Sequence, residues 1–241
     1  MPEALLSLAG VHTNIGQYHI LQGVDFEVPR AGLTMLLGRN GAGKTTTLRT
    51  IMGLWKASAG TIRYDGAEIT RRPTPALAQL GIAYVPENMG IFAGLTVREN
   101  LLLAARSGPP EQKRLDWIFG LFPAMQKFWN GLAGNLSGGQ KQMLAIARAI
   151  VEPRKLLLVD EPTKGLAPSI IANMIGAFRE LKRTETTLLV VEQNFHFARS
   201  LGDTVAVMDS GRIVHTGRMA DLSADEQLQT KLLGLSLETH Q

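Results

Sequence analysis

The apolar positions along the chain change period several times, and the changes mark out its elements. Leu5 to Val11 and His19 to Val28 are short apolar segments that read as strands. Leu33 to Leu37 is an unbroken apolar run, the pattern of a strand buried on both faces. From Gly43 to Leu54 the spacing becomes helical, with Leu48, Ile51 and Met52 on one side and Gly53 close to the end. SAGTIRYDGAEI predicts a hairpin turning at Asp65-Gly66. Ile82 to Val85 is a further buried strand, cut short by Pro86.

The texture then changes. From about Asn88 to Gly134 the pattern is helical and amphipathic, with Trp117, Phe119, Phe122, Phe128 and Trp129 crowded together. This reads as a satellite core beneath a helical insertion, and an exposed aromatic patch for a partner is compatible with it. Alternation of helices and strands resumes with a helix from Ser137 to Val151 and a strand from Lys155 to Val159. A helix over about Ser169 to Lys182, a strand over Thr187 to Val191 and a helix over about Asn194 to Ser200 follow. TVAVMDSGRIVHTG predicts a last hairpin, and a polar helical tail ends the chain. Strands alternating with helices predict an α/β fold with a mostly parallel sheet covered on both faces. There is no internal repeat and no low-complexity segment.

Composition narrows the picture only a little. The 241 residues suit one large domain, or one domain carrying an inserted subdomain. With 45% hydrophobic residues the core is sizeable. The absence of cysteine excludes a disulfide framework, a thiolate metal site and a thiol nucleophile, and fits a reducing compartment. Apolar runs such as Leu156 to Val159 fall far short of the roughly 18 residues needed to cross a bilayer. MPEALLSLAG lacks a signal-peptide pattern. The net charge of +4 mildly favours anionic partners.

Three short stretches carry the chemistry. GRNGAGKTT comprises Gly38, Arg39, Asn40, Gly41, Ala42, Gly43, Lys44, Thr45 and Thr46, and lies between a predicted strand and a predicted helix. It fits Gly, four residues, Gly-Lys-Ser/Thr, a loop whose backbone N–H groups curl around phosphate oxygens. Lys44 reaches the β- and γ-phosphates in such a loop, and the Thr45 hydroxyl holds Mg²⁺. LLLVDE is an apolar strand ending in two carboxylates, Asp160 to position Mg²⁺ and Glu161 to polarise an attacking water. In LSGGQ (Leu136, Ser137, Gly138, Gly139 and Gln140) the serine caps a helix and the glycines expose N–H groups, a second anion cradle.

With these three stretches in this order and spacing, the chain resembles the nucleotide-binding subunits of ABC transporters over almost its whole length. The resemblance implies a P-loop ABC cassette with an N-terminal antiparallel β subdomain and an inserted α-helical subdomain. One domain then spans 1–241, with 1–87 and 135–241 as RecA-like core plus β subdomain. The helical subdomain is about 88–134, and the signature lies at 136–140. It implies ATP and Mg²⁺ as ligands, and two cassettes head to tail, each ATP enclosed by one cassette's P-loop and the other's LSGGQ. Residue by residue, Glu87 in VPE stands where the family commonly has a Mg²⁺-side Gln. Lys164-Gly165-Leu166-Ala167-Pro168 forms the D-loop, with Ala167 at the usual Asp. Gln193 in VEQN occupies the place of the switch His, a weaker sensor of the γ-phosphate because its amide is neutral. His196, one helical turn on, reads as an ordinary surface residue. The adenine-stacking aromatic would fall near Ile15, and Tyr18, three residues later, is the candidate because its ring offers stacking area.

VPE with VREN, DEPTKGLAP and VEQN together resemble one branch, the LivF-type subunits of branched-chain amino-acid importers. That branch implies two permease subunits, a second ATPase subunit and a periplasmic binding protein. It places the chain at the cytoplasmic face of the inner membrane, without nucleic acid as a partner. Importers of urea or short amides have very similar subunits. The helical insertion, with Glu87 to Phe92 and Thr96 to Leu101, is expected to face the permease. A soluble ABC ATPase acting on ribosomes or DNA commonly has two cassettes or a long coiled-coil insertion, and this chain has neither. A P-loop kinase or GTPase has no use for LSGGQ.

Overall fold

The computed structural model describes residues 3–234. Strands β1 (Ala4–Ile15) and β2 (Tyr18–Pro29) form an antiparallel pair that turns at Gly16-Gln17. Strand β3 (Leu33–Leu37) leads through Gly38–Gly43 into helix α1 (Lys44–Ile51). Strands β4 (Ala57–Tyr64) and β5 (Ala67–Glu68) are the expected hairpin, with Asp65 and Gly66 both at positive φ. The short helix α2 (Thr74–Gln79) was not legible in the sequence. It buries only Leu77 and sits among prolines, so its apolar period never develops. Strand β6 (Ile82–Val85) follows.

Helices α3 (Val97–Ala104), α4 (Gln112–Leu121) and α5 (Pro123–Lys127) occupy the region read as an amphipathic insertion. Of the crowded aromatics there, Phe122 belongs to the core, and Trp117, Phe119, Phe128 and Trp129 pack half-buried against it. Phe122 is fully buried, Phe119 meets Trp129 edge to face, and the Arg114 guanidinium lies over the Trp117 ring. Thr96 and Glu99 form a reciprocal capping box at the start of α3, so the carboxylate of Glu99 is held by its own helix.

The remaining elements are α6 (Gly138–Ala149), β7 (Leu156–Asp160), α7 (Pro168–Lys182), β8 (Thr187–Glu192), α8 (Phe195–Leu201), β9 (Thr204–Asp209), β10 (Arg212–Arg218), α9 (Met219–Ala224) and α10 (Glu226–Leu233). The polar tail of the sequence is helical as far as Leu233, and residues 235–241 lie outside the described chain.

Two sheets result. The antiparallel one runs β2-β1-β4-β5, and the larger runs β10-β9-β3-β8-β7-β6, parallel throughout except at β10. Strands β3, β7 and β8 are buried at every position. Their side chains divide strictly between two cores. Leu33, Met35, Leu37, Leu157, Val159, Leu188 and Val190 face the core shared with α3–α8. Leu36, Leu156, Leu158, Leu189 and Val191 face the core shared with α1 and the antiparallel sheet. Each strand buries both faces, which is why it reads as a continuous apolar run.

Candidate functional site

In a parallel sheet the strands deliver their last residues to one edge, and a crevice forms beyond it. Here Leu37 lies opposite Glu192, Val191 opposite Asp160, and Val159 opposite Val85. The GRNGAGKTT loop, the Asp160-Glu161 pair, Gln193 and Glu87 therefore emerge side by side. The sequence elements predicted to act together are brought together by register alone.

The loop after β3 is held from within. Lys44 is buried, and its Nζ donates to the carbonyls of Gly38 (2.8 Å) and Arg39 (3.1 Å). Burial lowers the Lys44 pKa, and the Glu161 carboxylate, 3.7 Å from Nζ, works against that. Gly38 sits at φ 150°, and a Cβ there would lie 2.2 Å from the carbonyl oxygen of Met208 on β9. The loop can pass only because this residue has no side chain.

Beneath the loop, Thr45 Oγ1 donates to Asp160 Oδ1 (3.0 Å), and Tyr84 Oη from β6 donates to Asp160 Oδ2 (3.1 Å). Asp160 is fully buried, and burial raises its pKa against these two hydrogen bonds. Burial also raises the Tyr84 hydroxyl to about 12, so it remains a donor.

Glu161 is held from three sides. Its Oε1 accepts from Gln193 Nε2 (2.6 Å), and Lys44 and Lys164 approach the two carboxylate oxygens at 3.7 and 3.5 Å. Its backbone lies at φ 47°, a strained conformation for a side chain of this size. Gln193 Nε2 also donates to Asn40 Oδ1 (2.7 Å), which links the end of β8 to the phosphate-type loop. Lys164 Nζ donates to Glu87 Oε1 at 2.5 Å, so one ammonium bridges Glu87 and Glu161. Its pKa is raised chiefly by that Glu87 bond. The sequence alone gave no sign of this contact, because it joins residues far apart in the chain.

The other predicted residues are placed as follows. Ser137 caps α6: its Oγ accepts from Gln140 N (3.3 Å), and Gln140 Oε1 accepts from Ser137 N (2.9 Å). Ser137 and Gly138 are exposed, Leu136 and Gly139 are buried, and Gly139 packs close to Ile170 of α7. Among the described residues, no side-chain hydrogen bond or ion pair joins Leu136–Gln140 to the Gly38–Thr46 loop. Tyr18 is 65% exposed and pairs directly with Ile15 across the β1–β2 turn. Three residues of sequence separation thus become adjacent positions, and the adjoining Leu21 lies against Gly43. Ala167 is the N-cap of α7 and offers no side-chain acceptor, a place an aspartate would fill. His196 is exposed on α8.

A model of the family described as "ABC transporter" matches residues 21–164, covering the loop after β3, the α6 turn and the Asp160-Glu161 pair. The chain belongs to that family. The high-affinity branched-chain amino acid transport ATP-binding protein BraG of Pseudomonas aeruginosa is 38% identical over 95% of this chain and 100% of BraG. A probable branched-chain amino acid transport ATP-binding protein LivF of Archaeoglobus fulgidus is 36% identical over 95% of this chain and 99% of that protein. Among solved structures, the ADP conformation of MJ1267, an ATP-binding cassette of an ABC transporter, superposes with a TM-score of 0.80 at 25% identity. That superposition covers 97% of this chain and 100% of MJ1267.

Within this ABC cassette the clash at Gly38 sets a clear expectation. Gly38→Ala should weaken ATP binding about 10- to 100-fold, the equivalent of the 1–3 kcal/mol that such backbone strain costs. A fluorescent-nucleotide titration reads this directly. Unchanged affinity would show that the passage under Met208 does not shape the loop.

Proposed function

We propose that this chain is the ATP-binding and ATP-hydrolysing subunit of an ABC importer for branched-chain or other hydrophobic amino acids. The observation that carries the reading is the end-to-end similarity to BraG and LivF. The site chemistry agrees with it. A glycine-rich loop between a strand and a helix, with Gly38, Gly41 and Gly43 at positive φ and a buried lysine, suits a polyphosphate. Thr45 and Asp160 present hard oxygen donors side by side, a donor set that suits Mg²⁺ held by one carboxylate and the substrate's phosphates. Mg²⁺ in that place would neutralise charge on the β- and γ-phosphates.

In this reading the cassette's residues have distinct tasks. Residues Gly38 to Thr46 wrap the phosphates, and Lys44 leaves its carbonyl partners to meet them. Glu161 orients and deprotonates the attacking water. Gln193, already bonded to Glu161 and Asn40, donates its amide to the γ-phosphate region. Glu87 serves on the Mg²⁺ side once it parts from Lys164, and Tyr18 offers a ring to adenine from the β1–β2 turn. Ser137 and Gly138 are exposed on their own cassette, and Ser137 to Gln140 serve the ATP of a partner, which makes a lone chain an incomplete site.

No helix among the described residues is long and apolar enough to cross a membrane. Association with two permease subunits at the cytoplasmic face, together with a second ATPase, supplies the membrane step. Ala167 and Gln193 favour a second ATPase that differs from this chain. A periplasmic binding protein delivers the amino acid to such a complex. The test is a pull-down of this chain from mildly solubilised native membranes. Recovery of two permeases and an ATPase with a His at its switch position is the expected result. Recovery of only soluble partners, or only copies of the same chain, would overturn the heteromeric importer.

A further inference from the structure

Strand β8 ends in a carboxylate that the reading above leaves without a task. Glu192 is 2% exposed, at the end of a strand buried at all its positions. Its Oε1 accepts from Thr163 N (3.0 Å) and Thr163 Oγ1 (2.6 Å). Its Oε2 accepts from Gln193 N (2.9 Å) and Asn194 N (3.0 Å). Thr163 belongs to the turn that carries Glu161, and Glu161 N donates to Val191 O (2.9 Å) on the same strand end. Gln193 Nε2 then donates back to Glu161 Oε1. The contacts close a ring through Glu192, Thr163, Glu161 and Gln193.

We infer that Glu192 is a positioning residue for ATP hydrolysis: one buried carboxylate fixes both the turn that presents Glu161 and the backbone of Gln193. The inference rests on the reading of Glu161 as base. A residue at φ 47° persists only where its surroundings over-determine it, and Glu192 supplies that from one side. Three of its four donors are backbone N–H groups, which cannot accept. A carboxylate suits all four, and a neutral amide of the same shape does not. The device also links two loops. Thr163 is followed directly by Lys164 to Ala167, so a shift of that segment is passed to Gln193 through a single side chain.

The test compares Glu192→Gln and Thr163→Val with the wild-type full chain, each assembled with its partner cassette and permeases so that the site is complete. ATP turnover, ATP affinity and amide hydrogen exchange are measured for each. For Glu192→Gln, kcat should fall on the order of 10- to 100-fold, as expected for a misplaced catalytic group, with ATP affinity within about two-fold. Thr163→Val, which removes only the hydroxyl donor, should fall less, and the two effects should be non-additive in the double variant. Exchange should quicken together at 161–164 and 193–194 while α1 stays protected. Unchanged kcat in both variants, or faster exchange on one side of the ring only, overturns the inference. A wild-type assembly that binds ATP without hydrolysing it counts against the base reading of Glu161 instead, and the exchange result then decides whether Glu192 joins the two loops.

Discussion

Glu161→Gln should lower ATP turnover on the order of 100- to 10,000-fold, the usual contribution of a positioned base. ATP binding should survive. The carboxylate lies just past the end of β7, 3.7 Å from the Lys44 ammonium of the Gly38–Thr46 loop, which suits the role proposed for it. An amide has the same shape but cannot take a proton. The packing tolerates it: the amide oxygen can keep the Gln193 contact, and its NH₂ group can face Lys164, which is half exposed and free to swing away. A second consequence follows for Lys44. Burial lowers its pKa, and Glu161 is the largest opposing influence. Removing that charge makes the lysine easier to deprotonate in the empty site, so the pH above which ATP affinity declines should move down. Single-turnover hydrolysis and a pH series of ATP binding check both. Turnover within about ten-fold of wild type would remove Glu161 from the role of base.

Much of this site was legible because its parts are local. Gly38 to Thr46 is one continuous stretch between a buried strand and a helix, and LLLVDE is an apolar strand with its carboxylates at the tip. Burial on both faces makes such strands visible as unbroken apolar runs. The contacts that complete the site are not local. Lys164 meets Glu87 across the sheet edge, and Tyr84 reaches Asp160 from the neighbouring strand. Spacing along the chain carries no trace of either. Tyr18 shows the same limit in reverse. Its three-residue offset from Ile15 matters in sequence, yet the hairpin turn makes the two direct neighbours. Glu192 was visible as a letter in VEQN, and a sharper signal was present. A carboxylate closing a fully apolar strand must find several donors once buried, because an unpaired one is too costly. Helix α2 leaves no trace in the sequence for another reason: one buried leucine gives no period to read.

Asp160→Asn should act in opposite directions on stability and on function. Burial raises the pKa of Asp160 in the folded chain, so the folded state holds that proton more tightly than the unfolded state. Its contribution to stability is therefore complete below the ordinary carboxylate value and is lost as pH rises through the raised one. At neutral pH the buried charge is a net burden on the nucleotide-free fold. Asparagine removes the charge, and its two partners permit the exchange. Thr45 and Tyr84 both present hydroxyls, which can turn from donor to acceptor. This is the contrast with Glu192, whose backbone donors have no such freedom. The nucleotide-free variant should gain about 0.5–2 kcal/mol at neutral pH, the usual size of a stabilising change at a functional position. The gain should shrink as pH falls and Asp160 in the wild type becomes protonated. Mg²⁺ affinity in the presence of ATP should drop on the order of 10- to 100-fold, because the carboxylate that sets the charge of the oxygen donor set is gone. Thermal melts over about pH 4 to 8, paired with Mg²⁺ titrations, separate the two effects. A variant less stable than wild type at neutral pH, or a gain that grows on acidification, would mean that the hydroxyl hydrogen bonds outweigh burial at Asp160 and that its charge is no burden on the empty site.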